Sequence, residues 1–268
     1  MSQSIAASRA SIKSIALPAE HGGWGFLFEP ILLGLFAAPS AAGLLLGLAA
    51  LAAFLLHQPL LIAIKDRRKG KRWARTALAD RFALLYGLIG AGALALAVWI
   101  APHRFWLPLL IAVPLGLIKL GYDLSSASRA AAAELVGALA FGALAPAIAL
   151  AGGRGLWPAL MLWALLAGRT IPAILYVRAR LRLERGREVS SRGVGLAHLA
   201  AVIAAGVLAW RGAAPLLSVV ALALLLARAL WGLSPHRRRV PARVIGFSEL
   251  GWGLLTVILI GLGLTPGL

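Results

Sequence analysis

Long apolar blocks separated by charged loops dominate this sequence. Each block runs over about 16–22 residues, and a helix of that length crosses a hydrocarbon core of about 30 Å. Only 13% of the 268 residues are charged, whereas a soluble domain carries about a quarter. Because a bilayer accepts only chains that satisfy their backbone polar groups internally, the sequence predicts an all-α fold, a polytopic membrane helix bundle.

Nine blocks are long enough to be membrane spans. Long polar loops alternate with very short ones between them, which is typical of neighbouring helices joined by hairpins. Residues 1–19 contain no sustained apolar core, so we expect the first span to be an uncleaved anchor. We predict one transmembrane domain over residues 1–268, with spans at roughly 24–38, 42–62, 82–101, 105–121, 131–151, 157–177, 195–210, 214–233 and 244–264.

Positive charges lie almost entirely on one side of this arrangement. Of the 27 Lys and Arg residues, 21 fall in the N-terminal tail and the long loops, 3 in the short loops and 3 within spans. Because cytoplasmic loops carry an excess of Lys and Arg, we predict a cytoplasmic N-terminus and an external C-terminus. We attribute the net charge of +18 to topology and to contacts with anionic lipid headgroups, and expect no nucleic-acid partner.

The chain repeats a pattern after 113 residues. A proline inside an apolar span, followed by a cationic stretch, occurs at Pro59 and again at Pro172. We therefore expect a parallel repeat of four helices, over about 20–130 and 134–243, followed by a ninth helix at about 244–264; such repeats occur in helical transporters. The basic positions recur at the same spacing: Lys65 and Arg178, Arg67 and Arg180, Lys69 and Arg182, Arg72 and Arg185.

Three glutamates follow nearly the same spacing. Glu20, Glu134 and Glu249 are 114 and 115 positions apart, and each is predicted at the cytoplasmic start of a span. A carboxylate there stabilises the helix dipole, which is the plainest role for all three. Glu20 differs because His21 and a glycine-rich stretch follow it, and glycine permits an unusual backbone.

The two basic loops, 65–81 and 178–192, have two interpretations. In one they only set the topology and bind anionic lipid headgroups. In the other they meet across the axis of the repeat and form an anion pocket, beside helices that the two prolines loosen. Arginine suits a pocket because its fork donates paired hydrogen bonds to phosphate or carboxylate. The candidate substrate-binding residues are Arg67, Arg72, Arg178, Arg182 and Arg185.

Charges inside the spans are a separate signal. Glu29 lies in the first span and Arg169 about two turns inside the sixth. A charge at the bilayer centre costs about 2.5–3.5 kcal/mol, so each should face the bundle interior. We expect the two to line one cavity and to pair, or else to form a purely structural ion pair. Lys119 and Arg228 lie within about five residues of cytoplasmic ends, where both can snorkel, and we expect a structural role for both.

The sequence offers no basis for a metal or a cofactor. It has no cysteine, which excludes disulfides, thiolate zinc sites and iron–sulfur clusters. His21, His57 and His198 lie near the cytoplasmic ends of spans, but none belongs to a ligand motif. A P-loop and a dinucleotide-binding fingerprint are absent as well.

Several segments resemble one family. The stretch 17–25 (LPAEHGGWG), the pair Glu29-Pro30, the stretch 66–70 (DRRKG) and the stretch 176–182 (YVRARLR) are similar to those of YwiC-like bacterial membrane proteins. The resemblance runs over essentially the whole chain. It implies a place in the bacterial cytoplasmic membrane and specifies no reaction.

The layout also resembles that of UbiA-type prenyltransferases, whose chemistry lies in the loops after spans two and six. Those enzymes carry aspartate-rich motifs there, which hold magnesium on an isoprenyl diphosphate. In this chain the same loops offer only Asp66, Asp80, Glu184 and Glu188. Because magnesium needs carboxylates as well as phosphate, the resemblance implies a UbiA-like fold more than the magnesium mechanism.

The predicted function is binding of an anionic, phosphorylated or lipid-linked substrate in a cytoplasmic-side cavity. Arg169 and Tyr176 join the five loop arginines as candidate substrate contacts, and Glu29 or Glu20 is the candidate catalytic acid or base. Two other classes stay open. One is a small-oxyanion transporter with Arg169 as gate and Glu29 as proton-coupled partner; the other is a scaffold with no small-molecule site. The nearly pure apolar outer halves of the spans favour a blind pocket over a transport path.

Overall fold

The computed structural model describes residues 12–17, 23–70, 73–101, 105–125, 127 and 130–264, and these residues are helical apart from short connections. A short helical segment at residues 12–16 comes first. The helices that follow are α1 (Gly23–Ala37), α2 (Ala41–Arg68), α3 (Ala74–Ile100), α4 (Trp106–Leu124), α5 (Ala131–Gly142), α6 (Leu144–Ala151), α7 (Leu156–Glu184), α8 (Arg192–Trp210), α9 (Leu216–Leu233) and α10 (Ala242–Leu264).

The prediction of an all-α membrane bundle of about nine helices is confirmed. Within the described residues, eight helical stretches are long and apolar enough to cross a membrane, with α5 and α6 counted as one. α1 is also apolar but has only 15 residues. Tryptophans Trp99, Trp157 and Trp210 are strongly exposed at helix ends that the predicted topology places outside. Aromatic side chains of this kind concentrate at membrane interfaces.

The predicted bounds of the two basic loops are wrong. Helix α2 continues through Arg68 and α3 begins at Ala74, while α7 continues through Glu184. The error arises because hydropathy ends a span at its first charges, whereas Lys and Arg are good helix formers and the backbone hydrogen bonds continue into water. Helices α2 and α7 instead stop at Gly70 and Gly186, whose φ angles of 65° and 73° form a left-handed cap that glycine adopts without strain.

The centre of the bundle is the short helix α6. It packs against α1, α2, α4 and α7, and residues 145–151 are all buried. Pro146 separates α6 from α5, because it cannot donate to the carbonyl of Gly142 and its ring crowds that turn. Gly34 and Gly43 lie against Ile148, where a Cβ on either would come within 3 Å of its side chain. Small residues thus let three helices approach closely at the core.

Burial divides the helices into a central set and a peripheral set. Helix α7 packs against α1, α5, α6, α8, α9 and α10, whereas α3 packs chiefly against α2. The free sides of α3 and α4 expose large apolar residues such as Leu84, Leu88 and Leu117, which a bilayer would cover. The position of α7 decides where the interior charges meet.

Candidate functional site

Glu29 and Arg169 form an ion pair inside the bundle. The Arg169 Nη2 atom lies 2.9 Å from Glu29 Oε1, and the two side chains are 3% and 7% exposed respectively. Glu29 lies on α1 and Arg169 on α7, and these helices pack against each other. The predicted pairing is therefore present, and neither charge faces lipid.

A second buried ion pair adjoins the first. Arg228 on α9 pairs through its Nη1 with Glu249 Oε1 on α10, and their side chains are 8% and 14% exposed. Arg169 Nη2 also donates to the backbone carbonyl of Glu249 at 3.1 Å, which joins the two pairs. We call Glu29, Arg169, Arg228 and Glu249 the interior charge cluster. The two negative and two positive formal charges of the cluster cancel, and each of its four residues comes from a different helix.

Aromatic side chains flank Arg228. Its Cζ atom lies 4.0 Å from the centroid of the Tyr176 ring and 5.9 Å from that of Trp252. A cation over an aromatic face gains about 0.5–2 kcal/mol, more when it is desolvated. The substrate-binding candidate Tyr176 is thus adjacent to the cluster, and its hydroxyl end packs against Gly232 of α9.

Glycine makes room for the cluster on α10. A Cβ built on Gly253 would collide with Glu29 Oε1 and would come 2.6 Å from Arg169 Nη2. A Cβ on Gly25 would lie 3.2 Å from the same Glu29 oxygen. Only a residue without a side chain therefore fits at position 253 while the Glu29–Arg169 pair is made.

Several polar atoms of the cluster are buried without a protein partner. Within the described residues, Arg169 Nε, Arg228 Nε, Arg228 Nη2 and Glu249 Oε2 make no hydrogen bond. Buried polar groups are nearly always hydrogen-bonded, and a guanidinium N–H can only donate. The cluster therefore presents three unused donors on two buried cations, an arrangement suited to an oxyanion.

His198 lies near this cluster. The side chain is buried on α8, its Nδ1 atom is 2.9 Å from the carbonyl of Val194, and its Nε2 atom has no partner among the described residues. If Nδ1 carries the proton and donates to that carbonyl, Nε2 is a free acceptor. Arg228 is close enough to this imidazole for the two side chains to interact electrostatically.

Two predictions about these residues are wrong. Arg228 does not snorkel, because Glu249 and the Tyr176 ring hold it inside the bundle. Glu249 does not stand at a helix start, because α10 begins at Ala242 and places Glu249 two turns inside. Glu134, by contrast, lies in the first turn of α5 as predicted.

The other predicted substrate contacts are dispersed. Arg67 is exposed and pairs with Asp80 at 2.7 Å, and Arg178 pairs with Glu134 at 2.9 Å. Arg182 and Arg185 are exposed on the last turn of α7 and its cap. These contacts do not bring the two basic segments together, and a shared pocket stays a prediction. Glu20 and Arg72 lie outside the described residues.

Elsewhere, charged side chains fasten helix ends. Asp66 is buried at the end of α2 and accepts from Arg75 Nη2 at 2.7 Å and from Thr76 Oγ1 at 2.7 Å, both on α3. Lys119 lies 2.5 Å from Asp123, whose other contact is His57 Nε2 at 2.9 Å. These groups tie α2 to α3 and α4, away from the interior charge cluster.

Sequence reasoning missed half of the cluster for an identifiable reason. Arg228 and Glu249 both lie in apolar helices, but their distance from the assumed span ends assigned them to the interface. The predicted span begins at 244, two residues after the observed start of α10, and its pattern places Glu249 at the cytoplasmic start. A helix start at Ala242 would have placed Glu249 inside the bundle, and a buried carboxylate would then have required a cation.

Comparison with known proteins supports the resemblance to the YwiC-like family and does not support the resemblance to UbiA-type enzymes. The model of the YwiC-like protein family matches residues 17–149, which include Glu29 and end within α6. No curated protein and no solved structure gives a significant match, so the likeness to UbiA-type prenyltransferases stays a prediction. The predicted resemblance of the remaining residues is likewise unconfirmed. Over residues 17–149, the chain is similar to the YwiC-like protein family, as its sequence predicts.

Proposed function

We propose that this membrane protein binds an oxyanion group, a phosphate or carboxylate on a small or lipid-linked molecule, at the interior charge cluster. The observation that carries the proposal is the set of unpartnered N–H donors on Arg169 and Arg228. Both guanidinium groups are more than nine-tenths buried, so water does not freely satisfy those donors. An oxyanion would accept from them, close to the Tyr176 ring that the Arg228 guanidinium contacts.

The depth of the cluster favours entry from the cytoplasmic side. Glu29, Arg228 and Glu249 lie five to seven residues from the helix ends that the predicted topology places in the cytoplasm, which is about 8–11 Å along a helix. Arg169 lies deeper along the longer helix α7. A ligand entering from that side would cross a short distance to reach both arginines.

Beyond the cluster, toward the opposite end, large apolar side chains fill the interior of the bundle. Leu33, Ile148, Leu162 and Ile260 are fully or almost fully buried there. A blind site of this kind fits binding, or conversion of a bound substrate, better than conduction through the bundle. If a reaction occurs, Glu29 is the acid or base nearest the proposed oxyanion. The oxyanion transporter and the scaffold remain outcomes that experiment can select.

Purified protein in lipid nanodiscs provides the test. Inorganic phosphate, sulfate and acetate would be titrated in turn while thermal unfolding is followed, since a ligand present at 100 times its Kd stabilises by about 2.7 kcal/mol. We expect at least one of these anions to raise the unfolding temperature. Arg228→Lys keeps the charge that Glu249 needs but removes the planar fork, so it should weaken binding about tenfold or more.

The matched control is Arg187→Lys, the same change at an exposed position outside the cluster. It should leave anion binding unaltered. Equal binding by wild type and Arg228→Lys would contradict the proposal, and so would the absence of any response to the three anions. Anion flux into proteoliposomes that depends on Arg169 would replace the blind site with a transport path.

A further inference from the structure

A second candidate site lies at the end of the bundle where α7 and α10 meet. There the last turn of α7 and residues 239–242 enclose a cleft of about 450 Å³. Small-molecule sites typically measure about 300–1,000 Å³. None of the cleft residues belongs to the interior charge cluster, so this site stands independently of the function proposed above.

A buried arginine lies beside the cleft, bonded to the cleft residue Glu184. Arg180 on α7 donates to the carbonyls of Gly232 and Arg238, which brackets the connection between α9 and α10. Glu184 pairs with Arg180 at 2.9 Å and lies 3.8 Å from Arg237. Two cations therefore neutralise the carboxylate in the cleft wall, and the backbone around it is pinned to α7.

The rim of the cleft is cationic. Arg185 and Arg239 line it, and both are exposed, with no side-chain partner among the described residues. Because Glu184 is already compensated by Arg180 and Arg237, the two rim arginines leave the cleft with excess positive charge. Two arginines that line one cleft suit a phosphate group, because it accepts several charge-assisted hydrogen bonds from guanidinium donors.

The remaining wall is apolar. Leu181, Val240 and Ala242 contribute it, directly beside the arginines. A cleft with cationic and apolar halves fits a phosphate carried on a hydrophobic body better than a bare ion. The cleft also lies at the end of the bundle where the predicted topology places anionic lipid headgroups.

From this arrangement we infer that the cleft between α7 and α10 binds a phosphate monoester or diester through Arg185 and Arg239. The phosphate is carried either by an anionic phospholipid or by a soluble phosphorylated molecule with an apolar part. General attraction of lipids to a basic surface is distinct, because every cation near the membrane surface contributes about 1 kcal/mol, whether or not it lines the cleft.

Native mass spectrometry of the detergent-purified full chain tests the inference. Phosphatidylglycerol is added, with phosphatidylcholine as the zwitterionic comparison, and bound lipid is counted. Arg185→Gln/Arg239→Gln removes both rim cations, whereas Arg187→Gln/Arg192→Gln removes two exposed cations of the same region outside the cleft. We expect the cleft double variant to lose affinity for phosphatidylglycerol at least about tenfold more than the control double variant.

A charge-neutral variant separates the cleft from the field of the surface. Ala242→Trp should fill the cleft without altering any charge, and we expect it to reduce phosphatidylglycerol binding as well. Competition with glycerol 3-phosphate identifies the source of the phosphate: displacement indicates a soluble ligand, and its absence a lipid. Equal losses in the two double variants, or full binding in Ala242→Trp, would overturn the inference, because only diffuse surface charge would then be at work.

Discussion

Helices α2 and α7 are related by the predicted internal repeat, yet they occupy different environments in the bundle. They have 28 and 29 residues, each contains a proline in a matching place, and each carries a cationic end closed by a left-handed glycine. Yet 50% of the apolar stretch of α7 is buried and only 28% of that of α2. The same local pattern therefore serves two different positions in the bundle.

The difference is clearest at matched residues. Arg180 of α7 is buried and donates to two backbone carbonyls, whereas its counterpart Arg67 of α2 is exposed and pairs with Asp80. Arg169 of α7 lies in the interior charge cluster, and its counterpart on α2 is Leu56. A cationic helix end becomes an organising contact only where other helices surround it, because desolvation strengthens each hydrogen bond and raises the cost of losing one.

The largest effect is expected from breaking the cluster that α7 brings together. Arg169→Met leaves Glu29 buried without its cation, and loss of one partner of a buried pair costs about 3–5 kcal/mol. We expect a marked fall in the SDS concentration at which the protein unfolds. The double variant Glu29→Leu/Arg169→Met removes both charges and should recover most of the loss. If the double variant were no more stable than Arg169→Met, the pairing would not be the cause.

An intermediate effect is expected at the matched arginines. Arg180→Ala leaves the carbonyls of Gly232 and Arg238 without a donor and should cost about 2–4 kcal/mol. Arg67→Ala removes an exposed ion pair and should cost about 0–1 kcal/mol. The same SDS titration measures both. Equal losses would show that the two helix ends are energetically equivalent despite their different burial.

A smaller effect is expected from the glycine that accommodates the cluster. Gly253→Ala places a methyl group against Glu29 Oε1 and Arg169 Nη2, and overpacking of this kind costs about 1–3 kcal/mol. Gly251→Ala in the same helix meets no heavy atom within 4 Å, so it should be neutral or stabilise by up to about 1 kcal/mol. Thermal unfolding in nanodiscs measures both variants. A neutral Gly253→Ala would mean that the pair has room to shift.

The sequence by itself determined the class of the protein, its approximate number of helices, its similarity to the YwiC-like family over residues 17–149 and the pairing of Glu29 with Arg169. These follow from local properties: apolar length, helix-breaking glycine and proline, and the cost of a lone charge in a bilayer. Orientation and the repeat remain predictions of the same kind.

Tertiary structure alone decided that Arg228 and Glu249 complete the cluster, that Arg180 is buried while Arg67 is not, and that Arg185 faces residues 239–242. A hydropathy scale gives each residue a value that depends only on its own side chain. The burial of that residue depends on which other helices pack beside its helix. A charge near a helix end reaches water if lipid surrounds that helix, and it becomes an interior contact if other helices surround it. That distinction is a property of the packing, and no one-dimensional pattern in the chain contains it.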